Sequence, residues 1–264
     1  MNTIRMYIRY LGVALQGQMQ YRASFVMQTI GILLISLVEF LAIWALFDRF
    51  NTLRSWTLAE VALLYGMINI AFALSEMFAT GFHLFDRMVL RGDFDRILLR
   101  PRGTILQVMG HQIQLMRIGR LLQGVFVLAW ATWTLQVDWS IAKCVLVLAT
   151  ILSGTAMFTG LFILQATVTF WSTQSLELAN TLTYGGVETA QFPMDIYHSW
   201  FRRFFTMVIP LACVNYLPSL VILGRVDHES ALWHWASPAV GLVFLFVSFQ
   251  VWHAGTRHYQ STGS

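Results

Sequence analysis

Two carboxylates interrupt long apolar runs, Glu39 in LLISLVEFLAIW and Glu76 in IAFALSEMFATG. A charged carboxylate at the centre of a bilayer costs about 2.5–3.5 kcal/mol on insertion scales, so such residues face a protein interior or a watery path. Tyr65, Asn69, Phe72, Glu76, Thr80 and His83 follow steps of three and four, which puts them on one stripe of one helix. That stripe is either the wall of a translocation path or a polar contact between helices. An ion-coupled carrier would use Glu39 and Glu76 to load its ion.

A second candidate is the stretch LRGDFDRILLRPRG, Leu90 to Gly103, in which six of fourteen residues are charged although charged residues make up 11% of the chain. Asp86 to Leu99 can form one helix that ends before Pro101, because the residue preceding a proline is pushed out of the helical region. Phe94, Ile97 and Leu98 then share one face, while Arg87, Arg91 and Asp95 run down another at i+4 steps. Such a helix suits docking of a soluble protein. A basic loop that only sets topology accounts for Arg100 and Arg102 but not for the interleaved Asp93 and Asp95.

Other chemistries find little support. A P-loop needs a glycine-rich turn ending in Lys followed by Ser or Thr, and the single lysine, Lys143, sits in IAKC, so nucleotide hydrolysis must come from another chain. Glu188, Asp195 and His198 are the nearest set of titratable residues for an integral membrane enzyme acting on lipid head groups. Asp227, His228, Glu229 and His234 cluster in sequence but form a weak metal pattern. No G-x-S-x-G turn occurs. Cys144 and Cys213 read as packing residues within apolar runs.

The elements that must hold these residues are membrane helices. A hydrophobic fraction of 57% and a mean hydropathy of +0.61 exceed the values of soluble domains. Six apolar runs are long enough to cross a hydrocarbon core: 25–47, 58–82, 118–137, 141–170, 204–223 and 232–252. Residues 1–24 carry Ile4, Ile8, Leu11 and Leu15 on one helical face and Arg5 and Arg9 on the other, a pattern for an interfacial helix. No cleavable signal peptide is recognisable at the N-terminus.

Orientation follows the arginines. With both termini inside, the cytoplasmic segments hold Arg5, Arg9, Arg22, Arg87, Arg91, Arg96, Arg100, Arg102, Arg117, Arg120, Arg202, Arg203 and Arg257, thirteen of seventeen basic residues. The segment Ser172 to Trp200 contains Glu177, Glu188, Asp195, Gly185, Gly186 and Pro193, and is expected to be a cytoplasmic or interfacial connector. The fifth run contains Pro210, Asn215 and Pro218, so that helix is expected to be kinked or broken, as a gate or as a plain irregularity.

RGDFDRILLRP resembles the segment after the second span of ABC-2-type transporter permeases, where a charged residue and Gly precede an acidic residue, paired leucines and a Pro. The stretch from Gln191 to Arg225 and the terminal Gly255, Tyr259 and Ser261 to Ser264 are similar to the six-span subfamily of those permeases. The resemblance implies an all-α, type V exporter-like membrane domain of six spans, with an interfacial N-terminal helix and a cytoplasmic coupling helix. It implies a homodimer or paralogous heterodimer in a bacterial inner membrane with both termini cytoplasmic, and a separate ABC ATPase that carries ATP and Mg. No cofactor is expected in this chain, and no nucleic-acid partner. It assigns Arg91, Gly92, Asp93, Phe94, Asp95, Arg96, Ile97, Leu98, Leu99 and Pro101 to ATPase coupling. It assigns Asn69, Phe72, Glu76, Pro210, Asn215 and Pro218 to the path of an amphipathic or lipid-like substrate.

Overall fold

The computed structural model describes residues 3–171, 176–226 and 231–259, and these form thirteen α-helices with short 3-10 and π turns between them. Asp227, His228 and Glu229, and the terminal Ser261 to Ser264, lie outside the described residues. The central element is α3 (Leu58–His83), whose side chains are buried nearly throughout. Its small residues Ala59, Ala62, Gly66, Ala71 and Ala73 let neighbours approach closely on all sides, the usual basis of packing in lipid. Thr57 starts it, with its backbone N–H donating to Glu60 Oε2 at 2.8 Å.

The helices α7 (Ile118–Thr134) and α8 (Ile141–Val168) flank α3, and α13 (Ala239–Thr256) packs on α8. The helix α2 (Arg22–Phe50) leans on α7 and turns Leu34, Ile35, Val38, Leu41 and Trp44 outward. An apolar exterior of this kind is what a bilayer solvates. By length and composition α2, α3 continued to Leu90, α8 and α13 can each cross a membrane. The first helix, α1 (Thr3–Gln20), lies against the end of α3 through Tyr7, whose hydroxyl donates to the Phe78 carbonyl at 3.2 Å. Arg5, Ile8, Arg9 and Leu15 of α1 are exposed.

The expected single helix from Asp86 to Leu99 is two helices, α4 (Phe85–Leu90) and α5 (Asp93–Leu98). Gly92, at φ +69°, breaks them with a left-handed turn that a side chain would disfavour. The break turns Phe94 and Ile97 inward. Phe94 packs 4.8 Å from the Phe85 ring and 5.0 Å from the Tyr259 ring, in a cluster with Phe170 and Trp252. Phe94, Ile97 and Leu98 therefore do not form one outward face; Leu98 stays exposed with Leu90 and Leu99. A short helix, α6 (Thr104–His111), then returns the chain to α3.

The largest departure concerns residues 172–223. The expected connector contains a helix, α9 (Leu176–Ala190), running antiparallel to α3. Gln165 Nε2 donates to Asn180 Oδ1 at 3.1 Å near the α4 end of the bundle, and Tyr184 reaches Glu76. Beyond α9, Asp195 accepts from Trp56 Nε1 at 3.0 Å, at the end where α2 turns into α3. The segment thus traverses the bundle from end to end. The expected fifth span is bent by 81°: α10 (Ser199–Met207) returns into the bundle, and the chain reverses at Pro210. A π turn, Ala212–Tyr216, and α11 (Leu217–Ile222) then lead back to the α2–α3 turn end. Pro210 has no N–H to continue a helix, and the wide turn ahead of Pro218 accommodates its missing donor.

One consequence is that Arg202 and Arg203, expected beside the other cytoplasmic arginines, sit near Tyr216 and Asp195 at the opposite end. The last short helix, α12 (Ala231–Ala236), precedes α13 and exposes Trp233.

Candidate functional site

Both intramembrane carboxylates carry an arginine partner. Glu39 receives two hydrogen bonds from Arg120 Nη2, at 3.2 and 3.1 Å, and Glu76 Oε1 lies 3.2 Å from Arg117 Nη2. The two arginines are one turn apart at the start of α7, where an apolar run begins. Gly119 between them lies directly against the Thr29 carbonyl of α2, so any side chain there would push α2 and Glu39 away. Arg117 is steered by Gln114, whose side-chain oxygen accepts from Nε at 3.0 Å and whose backbone N–H donates to the Met77 carbonyl.

The network extends further. The Arg120 guanidinium lies 5.3 Å from the Phe72 ring centroid, a cation–π contact inside the protein. Tyr65 donates to the Ser36 carbonyl at 3.0 Å and accepts from Gln123 at 3.2 Å. Tyr184 of α9 points its hydroxyl at Glu76 Oε1, 3.4 Å away, and Glu188 interacts electrostatically with Glu39 and Arg120. On α9, Thr181, Tyr184 and Glu188 are exposed at i, i+3 and i+7, a polar face at the depth of the paired charges.

Sequence reasoning located Glu39 and Glu76 but assigned Arg117 and Arg120 to a topology signal, and it did not single out Tyr184. The available signal was charge balance: two carboxylates in apolar runs require two counter-ions, and the arginines at i and i+3 opening the next run supply them.

The residues expected to line a path divide. Asn69, Phe72, Glu76 and Asn215 are buried within the subunit. Asn215 Nδ2 donates to the carbonyls of Ala190 and Leu64 at 2.8 and 3.1 Å, tying α9, the π turn and α3 together. Asn69 donates to the Tyr65 carbonyl on its own helix. These two asparagines are structural contacts in this conformation, and neither reaches the surface of the subunit. Pro210 forms the corner of the bent pair and Pro218 opens α11.

At the α2–α3 turn end, Arg225 Nη2 lies 2.5 Å from Glu60 Oε1 and its guanidinium sits 4.5 Å from the Trp56 ring. Arg54 Nη1 donates to the Asp195 carbonyl at 2.6 Å. These contacts pin the far ends of α9 and α11 to α3. Asp195 thus faces Trp56 and Arg54, whereas Glu188 faces Glu39 and Arg120.

At the other end, α4 and α5 present Leu90, Arg91, Arg96, Leu98, Leu99, Arg100 and Pro101 to the surface. Asp93 and Asp95 are half-buried. Tyr259 has its phenol pushed up to about 12, chiefly by burial and further by the nearby Asp95 carboxylate, and its ring packs on Phe94 and Phe170, which ties α5 to the chain's C-terminal segment.

No curated protein and no solved structure matches the chain. The family described as ABC-2 family transporter protein matches residues 33–263. An all-helical bundle with membrane-length apolar helices, no P-loop in its sequence and arginine-paired carboxylates in its interior is consistent with that match, and the chain belongs to the ABC-2 family of transporter proteins.

Proposed function

We propose that this ABC-2 permease is the membrane subunit of an ATP-driven exporter, working with a separate ABC ATPase and a second permease, identical or related. The observation that carries this reading is the exposed polar face of α9, Thr181, Tyr184 and Glu188, set against the Glu39–Arg120 and Glu76–Arg117 pairs. A carboxylate at that depth is costly against lipid, so the face belongs against another subunit across a watery path. An amphipathic or lipid-like cargo fits a path with this polar wall and apolar flanks.

In this reading α9 crosses the bilayer in place of the run 204–223, and α10 with residues 212–222 is a hairpin that enters and leaves at one surface. The spans are then α2, α3, α7, α8, α9 and α13, and both termini lie on one side. That side is cytoplasmic because Arg87, Arg91, Arg96, Arg100, Arg102 and Arg257 gather there. The α4–α5 corner, with Leu90, Leu98 and Leu99 uncovered, is where the ATPase engages.

Cross-linking tests the pairing of subunits. With Cys144 and Cys213 replaced by Ser, Glu188→Cys in native membranes should give a product of twice the subunit mass with a short bifunctional thiol reagent, or a mixed product with a co-expressed related permease. Leu148→Cys, on the outward face of α8, should give neither. Absence of both products for Glu188→Cys would contradict the shared path.

A further inference from the structure

At the α4 end of α3 there is a small cavity of about 60 Å³ on which Arg87, Arg91, His111, Gln112 and Asp93 converge. It arises from a close approach: Gly81 of α3 lies directly against the Val108 carbonyl of α6, and any side chain there would push α6 and His111 away from Arg87. Arg87 and Arg91 are one turn apart and exposed. Among the described residues, neither they nor His111 take part in an ion pair. The single carboxylate of the cavity, Asp93, already lies 3.9 Å from Arg96. The cavity therefore brings two permanent positive charges and the donors of His111 and Gln112 against one carboxylate, Asp93, a net positive lining.

Its depth identifies the ligand. The apolar run ends at Phe82 within a helical stretch that continues to Leu90, so Arg87 and Arg91 stand one to two turns past the hydrocarbon-length run, at the level of the head groups. The interfacial helix α1 lies alongside, with Tyr10 packed on Gly110 of α6. Basic pockets between membrane helices at the cytoplasmic surface are suited to the phosphates of anionic lipids. We propose that Arg87, Arg91 and His111 form a binding site for the head-group phosphate of an anionic phospholipid of the cytoplasmic leaflet. The site is distinct from the α9 face, and its location in that leaflet rests on the orientation given above. A lipid held there would brace α4 against α6 immediately before the exposed Leu98 and Leu99.

The test uses the purified full-length permease in detergent, without ATPase or transport, so that its failure is separable from failure of the exporter reading. Short-chain phosphatidylglycerol, short-chain phosphatidylcholine and inorganic phosphate are titrated by thermophoresis. Phosphatidylglycerol should bind at least about tenfold more tightly than phosphatidylcholine, and Arg87→Gln with Arg91→Gln should remove that preference. His111→Gln, which keeps both arginines, should weaken phosphatidylglycerol binding by a smaller factor and serves if the double variant fails to fold. Equal binding of the two lipids overturns the site, as does an unchanged preference in the folded double variant or, where that variant does not fold, in His111→Gln. Inorganic phosphate binding as tightly as phosphatidylglycerol overturns the lipid assignment.

Discussion

Arg117→Ala should destabilise the folded permease by about 3–5 kcal/mol, the usual cost of leaving one member of a buried ion pair uncompensated. Glu76 is 4% exposed at its side chain and Arg117 is 26% exposed, so water cannot easily replace the lost guanidinium. Tyr184, at 3.4 Å, offers one weak hydrogen bond to a full charge. Adding Glu76→Gln to Arg117→Ala removes the orphaned charge and should recover most of the loss. Unfolding in mixed detergent micelles measures both variants. A double variant no more stable than the single would mean that Arg117 contributes through packing and not through Glu76.

The second large effect is expected at the opposite extreme of burial. Leu98→Asp with Leu99→Asp should abolish association with the ATPase while leaving the permease folded, because these side chains are 43% and 86% exposed. Covering two such leucines in an interface contributes about 1.5–3 kcal/mol each, so replacing both weakens binding by a hundredfold or more. Phe94→Ala provides the contrast: that ring is fully buried against Phe85 and Tyr259, and its removal should unfold the corner at a cost of about 3–5 kcal/mol. Co-purification of the ATPase alongside thermal unfolding separates the two outcomes. Normal ATPase binding by the folded leucine variant would remove the α4–α5 corner from the coupling interface. Asp95 is a poor choice for this experiment, since it is half-buried beside Tyr259 and a substitution there would be structural as well.

The apolar runs led directly to α2, α3, α8 and α13, because a bilayer imposes length and hydropathy on a helix that is lipid-facing or packed by small residues. The same logic read residues 172–200 as a connector, and they contain the helix α9. Glu188, Gly185, Gly186 and Asp195 look expensive in lipid, yet the helix packs against α3 and Asp195 is held by Trp56 and Arg54. Hydropathy scores each residue against hydrocarbon and cannot register partners supplied from elsewhere in the chain. Residues 204–223 show the converse: they are apolar enough to span, but Pro210 ends the helix and the chain reverses.

Within the site, the stripe on α3 was legible as a 3.6-residue period, and the pairing of Glu39 and Glu76 with Arg120 and Arg117 was not. The arginines lie 81 and 41 positions away from their partners, a separation that no local pattern encodes. Likewise, the charge pattern of LRGDFDRILLRPRG pointed to the α4–α5 corner, while the left-handed turn at Gly92 decides that Phe94 and Ile97 belong to the core.

If the polar face of α9 lines a path whose exposure is driven by ATP, its accessibility follows the nucleotide. In a variant with Cys144→Ser and Cys213→Ser, single cysteines at Thr181, Tyr184 and Glu188 are treated with a membrane-impermeant thiol reagent in the reconstituted permease–ATPase complex, with and without a non-hydrolysable ATP analogue. Labelling is expected at all three positions, with protection at the buried Val187 and a change of the accessible side when the analogue binds. Labelling that ignores nucleotide, or a Glu188→Cys thiol that never reacts from either side, would contradict that path.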